Sequence, residues 1–198
     1  DNYHPRVLMQ VFARDHVVVC GTDEVIALIR QCAFHPETIE IHSLRDGEEV
    51  DEWETVMTIE GDYADFAHLE TIYLGILARQ SRIATNVRRV VKAANGKPVL
   101  FFPARYDIYQ TQESDGYAAL VGGIHGFSTD ANALAAGGKG LGTIPHALIA
   151  SYKGDTVAAT EAFDKYVDPS IARIALVDFD NDCVNTSLAV ARKLGKKL

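Results

Sequence analysis

The residues with the most chemical potential lie between Phe127 and Leu148, FSTDANALAAGGKGLGTIPHAL. Gly137, Gly138, Gly140 and Gly142 crowd a segment that closes on Thr143, Pro145 and His146. Glycine at this density costs stability, because it loses more backbone freedom on folding than any other residue. In return it allows close backbone approach and free N–H groups, the usual means of holding an anion. A hydroxyl follows, then a proline suited to the first position of a helix, then a histidine at that helix's start. The helix dipole holds such a histidine neutral, available as nucleophile or base. Position alone leaves a second reading open, in which the imidazole only caps a turn. Taken together, the stretch suggests a phosphorylated ligand beside a reactive histidine.

Two further residue types fit that chemistry. Arg105 follows FFPA, a strand and a turn-directing proline, and a guanidinium there can grip a carboxylate or phosphate with two parallel hydrogen bonds. A surface salt bridge is the plain alternative. Asp178, in VDFDND, ends a later strand and forms an acidic cluster with Asp180 and Asp182. Such a cluster suits sugar hydroxyls or a hydrated magnesium ion. A calcium loop is not supported, since the downstream glycine and glutamate it needs are missing.

The elements that must position these residues follow the turn Asn95-Gly96-Lys97-Pro98. Residues 99–102 (VLFF) are a short, fully apolar run suited to a buried parallel strand. The pattern then predicts a helix over 113–121, a strand end at 126–128, a helix over 130–136 and a strand end at 142–143. Helices over 145–152 and 156–166, a strand over 171–177 and a last helix over 182–194 complete it. This alternation predicts a parallel sheet or barrel. Right-handed crossovers would gather the strand C-termini on one rim, where α/β barrels keep their sites. Arg105, Ser128, Thr129, Thr143 and Asp178 each fall just past a predicted strand.

Before residue 96 the pattern is α+β. Strands are expected over 6–12, 17–20, 38–44 and 55–60, and a helix over 24–32 capped by Thr22. The acidic run 46–54 reads as a solvated turn. A long helix over 63–80 ends near Ser81, and a second, over 83–94, carries Arg88, Arg89 and Lys92. The expected organisation is an α+β domain over 1–96 and the first strands and helices of a parallel α/β barrel over 97–198.

Composition sets outer bounds. The 198 residues are 47% hydrophobic and 23% charged, with a net charge of −8. That is ordinary for a globular protein and unsuited to a general nucleic-acid surface. Cys20, Cys32 and Cys183 form no CxxC, so reduced thiols in a cytoplasmic protein are expected. No apolar run is long enough to span a membrane, and no signal peptide is evident. A start at Asp1 and a stop just after a helical pattern suggest a fragment of a longer protein.

GTIPHAL, with SxDAN and FFPARYD upstream and YADFAHLETIYLGILARQSRIATNVR in the first half, resembles nicotinate phosphoribosyltransferase, a type II phosphoribosyltransferase family. The resemblance covers essentially the whole chain. It implies an α/β fold, an α+β N-terminal domain packed on an incomplete barrel. It also implies synthesis of nicotinate mononucleotide from nicotinate and 5-phosphoribosyl 1-diphosphate, with Mg²⁺ on the diphosphate and ATP as co-substrate. His146 matches the histidine transiently phosphorylated by ATP, Thr143 a threonine of the pyridine pocket, and Arg105 an arginine meeting the pyridine carboxylate or the diphosphate. Ser128, Thr129 and Asn132 match the loop approaching the ligand, and Asp178, from its place just past a strand, is expected to bind substrate with them. A homodimer or higher assembly is implied. The family's N-terminal Asp-x-x-Tyr segment has no match in DNYH, and its later 5′-phosphate loops have none either, so the chain alone is expected to be inactive. Quinolinate phosphoribosyltransferase, with the same fold, and a non-catalytic ligand-binding homologue are the alternatives.

Overall fold

Along β1 (Arg6–Phe12) every second side chain turns inward, so Val7, Met9 and Val11 meet the core while Leu8 and Phe12 face out. This is the period of a half-buried strand. The chain continues through β2 (Val17–Val18), α1 (Thr22–Cys32), β3 (Glu40–Ser43), β4 (Glu49–Val50) and β5 (Thr55–Asp62). β5 runs antiparallel between β1 and β3, with Ile59 opposite both Met9 and Ile41. α2 (Tyr63–Phe66) and the long α3 (Glu70–Ala93) then cover the sheet. Val25 and Ile29 of α1 close one core with Met57, Ile59, Phe66 and Tyr73. Full burial of such apolar side chains stabilises the fold by about 1.5–3 kcal/mol each. In this computed structural model residues 3–197 are described; the Asp1-Asn2 of DNYH and Leu198 lie outside them.

Three local expectations are corrected. Thr22 is the first residue of α1 and not its cap, a place taken by Gly21 at φ 98°. Asp46 supplies the missing acceptor. Its Oδ1 takes the Thr22 backbone N–H at 2.9 Å and the Thr22 hydroxyl at 2.8 Å, and its Oδ2 takes the Tyr117 hydroxyl at 2.8 Å. The acidic run 46–54 is therefore not one solvated turn, since Glu49–Val50 also pairs with β2. Burial and then Asp46 push the neighbouring Cys20 thiol up to about 12. Asp46→Ala would strand two hydroxyls and a helix N–H, and is expected to cost about 2 kcal/mol in urea unfolding. Asp46→Asn, which keeps an acceptor, should lose clearly less.

α3 also runs unbroken through Ser81. A serine inside a helix competes with the backbone only when its hydroxyl is free to do so. Here Ser81 Oγ accepts from Cys20 N at 3.0 Å and donates to the Cys20 carbonyl at 3.2 Å. Thr85 Oγ1 accepts from Val18 N at 2.9 Å. The hydroxyls of α3 thus satisfy the free edge of the β2 segment.

His35 gives the fold a pH-dependent element. Its Nδ1 lies 2.8 Å from Asp65 Oδ1, and the Asp65 side chain is only 9% exposed. That hydrogen bond and charge raise the His35 pKa above its ordinary value. A raised folded-state pKa adds stability that is complete below the unfolded value near 6.5 and lost as pH rises through the folded value. His35→Gln should therefore lower the urea midpoint at about pH 5.5 and leave it unchanged at about pH 8.5. An equal loss at both pH values would contradict the pairing.

Beyond the Asn95 turn come β6 (Leu100–Phe101), α4 (Gln112–Gly122), β7 (Gly126–Phe127) and α5 (Asp130–Ala133). β6 and β7 pair in parallel, Leu100 opposite Gly126 and Phe101 opposite Phe127. By their contacts the residues group into two compact units that divide at Gly140. The first includes the contact of α3 with α4: Val87 packs with Ala119, and Arg88 donates to the Val121 and Gly122 carbonyls at 3.0 and 3.2 Å.

The second unit, Leu141–Leu198, holds α6 (His146–Ser151), α7 (Thr156–Tyr166) and α8 (Cys183–Leu194). Ile144, Ile149 and Ala159 form its centre, with Phe163, Leu176 and Phe179 against them. The strands expected at 142–143 and 171–177 are not formed among the described residues. One bond links the two segments, Ile144 N to the Ile174 carbonyl at 3.1 Å. An apolar run becomes a strand only through a ladder, and a single rung is not one. Among the described residues no helix is long and apolar enough to cross a membrane.

Candidate functional site

His146 opens α6, and its Nε2 lies 3.3 Å from Asp178 Oδ1, with the imidazole 43% exposed. The Phe179 ring lies beside it at 6.4 Å between centroids. A carboxylate at this distance favours the proton on Nε2 and leaves a lone pair on Nδ1. The acidic trio seen in the sequence divides its labour. Asp182 caps α8, accepting from Asn185 N at 3.1 Å, and Asn185 holds its carboxyl below the usual range. Asp180 accepts from the Thr186 hydroxyl at 3.2 Å. Asp178 alone turns to the histidine. Thr143, half-buried, spends its hydroxyl on the Ile144 carbonyl at 3.3 Å.

In the first unit the structure joins Thr129 and Asn132 just past β7. Thr129 caps α5, its Oγ1 accepting from Asn132 N at 3.1 Å. Asn132 is fully buried, and its Nδ2 donates to the Gln112 carbonyl at 2.6 Å. Ser128 N donates to the Phe101 carbonyl at 3.0 Å, while its buried Oγ has no partner among the described residues. Arg105 is exposed in the turn after β6, and among the described residues no hydrogen bond joins it to this group. The glycine-rich stretch is partly filled by the chain itself. Gly140 N donates to Asp130 Oδ1 at 2.8 Å, and a Cβ at Gly140 would lie 2.5 Å from the Thr129 backbone. Close approach, more than an open cradle, is what this glycine provides.

Gln112 and Arg79 were missed in the sequence. Gln112 Oε1 accepts from Thr129 Oγ1 at 2.8 Å, and its Nε2 donates to the Ala104 carbonyl at 3.0 Å, so it ties both strand-end turns together. No sequence signal marks it. Arg79 had one: Asp115 stands on the apolar stripe of α4 with Ala118, Ala119 and Gly122, and a carboxylate so placed requires a cation. A cavity of about 580 Å³ opens here, lined by Arg79, Arg82, Asn86, Phe101, Pro103 and Tyr106 among others. A larger groove of about 870 Å³ between the β1–β2 segment and α3 is lined by Arg89 of the basic trio noted in the sequence, together with Arg14, His16 and Arg82, and holds none of the expected substrate-site residues.

Comparison with known proteins bears on the fold and the family. Residues 2–81 match the family model "Quinolinate phosphoribosyl transferase, N-terminal domain". The crystal structure of nicotinate-nucleotide pyrophosphorylase from Pyrococcus furiosus superposes with a TM-score of 0.87 at 36% identity, over 100% of this chain and 51% of that one. The fold is mixed α/β, consistent with the N-terminal domain of these enzymes and the start of the barrel. Together these findings support the type II phosphoribosyltransferase family.

Among individual relatives, nicotinate phosphoribosyltransferase of Bacillus subtilis (strain 168) is 29% identical over 170 residues, 79% of this chain and 32% of that protein. Human nicotinic acid phosphoribosyltransferase shares the fold at 16% identity and a TM-score of 0.63, over 78% of this chain and 38% of that one. The chain spans about half the length, or less, of these relatives.

Proposed function

We propose that the protein is a nicotinate phosphoribosyltransferase, which joins nicotinate to the ribose of 5-phosphoribosyl 1-diphosphate with release of diphosphate. The observation that carries this reading is His146 at the head of α6, 3.3 Å from Asp178, within the GTIPHAL segment. In the coupled step Nδ1 of His146 attacks the γ-phosphorus of ATP. The bond from that phosphorus to the bridging oxygen breaks, ADP departs with the electron pair, and water later returns the imidazole and phosphate. Loss of diphosphate leaves an oxocarbenium-like sugar, so positioning of the pyridine nitrogen and stabilisation of departing charge dominate the chemistry. Arg105 meets an anionic substrate group, Thr143 lines the pyridine pocket, and Ser128, Thr129 and Asn132 shape the approach. Mg²⁺ enters with the diphosphate of its substrate. A homodimer or higher homo-oligomer in the cytoplasm completes the reading.

A quinolinate-specific enzyme is the second reading, favoured by the family model that residues 2–81 match. A dicarboxylate would need a second basic cluster at the pyridine, because an unpaired buried carboxylate is costly. The test uses the full-length protein with 5-phosphoribosyl 1-diphosphate and Mg²⁺, supplied with nicotinate or quinolinate, with and without ATP. Nucleotide formed from nicotinate and stimulated by ATP is expected. Turnover of quinolinate alone would select the second reading, and turnover of neither would leave a ligand-binding homologue.

A further inference from the structure

The segment that carries Arg105 is pinned from behind. Asp115, on α4, is 3% exposed. Arg79, on α3, grips it with two parallel hydrogen bonds, Nε to Oδ1 and Nη2 to Oδ2, both 2.8 Å. The Thr111 hydroxyl donates to the same Oδ2 at 3.0 Å and lies 3.2 Å from Arg79 Nη2. The same Nη2 reaches the Asp107 carboxylate, whose Oδ1 accepts from Ile108 N at 2.8 Å. One residue before Arg105, the Ala104 carbonyl is held by Gln112 at 3.0 Å. The turn itself is closed by Tyr106 N donating to the Pro103 carbonyl at 2.7 Å. Arg105 therefore stands exposed on a short turn that is tied down on both sides, at Ala104 and at Asp107.

We infer that Arg79 is a positioning residue: it anchors in the buried Asp115 and, through Asp107 and Thr111, sets the turn that presents Arg105 to an anionic substrate. This rests on the proposed reading of Arg105 as a substrate-binding residue. The role requires a planar fork, since one guanidinium must serve the buried carboxylate bidentately and still reach the loop. A lysine keeps the charge but offers a single centre, so it can hold Asp115 or the loop and not both. The cation on Arg79 is shared between two carboxylates and leaves Arg105 free of either. Arg105 then stays available for a ligand in a chain with a net charge of −8.

The test compares the wild-type full-length protein with Arg79→Lys, Asp107→Asn and the double variant. Asp107→Asn cuts only the exposed end of the clamp and keeps the buried pair, so it remains informative if Arg79→Lys folds poorly. Each single variant is expected to raise the KM for one of the two anionic substrates about tenfold or more, with kcat changed less than about threefold, as for a misplaced binding group. The double variant should be no worse than the worse single one, because both cut the same link. Amide exchange should quicken over 103–111 and stay unchanged along α3 and α4. An unchanged KM, or exchange rising equally across α3 and α4, would overturn the inference. Should the wild-type protein form no nucleotide, the functional reading fails instead, and unchanged exchange over 103–111 in Asp107→Asn would still overturn the clamp.

Discussion

His146→Ala is expected to remove all acid-labile, base-stable phosphate from the full-length protein incubated with γ-labelled ATP, and with it all stimulation of nucleotide synthesis by ATP. On the proposed mechanism the effect is all or none, because the substitution deletes the nucleophile and no second histidine lies in the GTIPHAL helix. Synthesis without ATP should survive at its lower level, since the groups proposed to meet the pyridine and the diphosphate are untouched. Asp178→Asn separates orientation from chemistry. The amide keeps the shape beside Nε2 but removes the charge that favours the productive tautomer, so labelling should slow by about tenfold or more while still reaching His146. Label retained in His146→Ala, or placed on another residue, would defeat the coupled mechanism.

Gly116→Ala is expected to destabilise the first unit by about 3 kcal/mol or more, read as a lower urea midpoint. Helix propensity alone would favour the change by up to about 1 kcal/mol. Packing overrides it. A Cβ at Gly116 would lie 2.0 Å from the Asn132 carbonyl oxygen and 2.6 Å from its carbon, contacts with backbone that no rotamer change relieves. Asn132 is fully buried, and moving it would break its bonds to Thr129 and Gln112. The site loop past β7 would therefore loosen along with the core. Gly75→Ala is the matched control, because a Cβ there meets nothing within 4 Å and the same propensity term acts unopposed. It should stabilise the protein by about 0.5–1 kcal/mol. Equal effects at the two positions would refute the packing argument.

The sequence by itself determined whatever depends on near neighbours in the chain. The alternation of Arg6–Phe12 and the 3.6 period of Thr156–Tyr166 are read from adjacent residues, and both elements occur with the expected bounds. The proline–histidine start of α6 is local too, although Pro145 is its cap and His146 its first residue, one position later than expected. Tertiary structure decided what depends on partners far along the chain. IARIALV has the composition of a strand but, among the described residues, meets a single backbone bond from Ile144 and forms no ladder. Ser81 has the composition of a helix breaker, yet the Cys20 backbone 61 residues away occupies its hydroxyl and α3 continues. Asp178, Asp180 and Asp182 are alike in sequence, and only the folded second unit turns one to His146 and commits two to starting α8. Gln112 was invisible for the same reason, and Arg79 was signalled only indirectly, by the carboxylate of Asp115 on the apolar stripe of α4. Their work lies in bonds to residues about 8 to 36 positions distant, and a hydrogen bond has no signature in a sequence until the fold brings its two ends within about 3 Å.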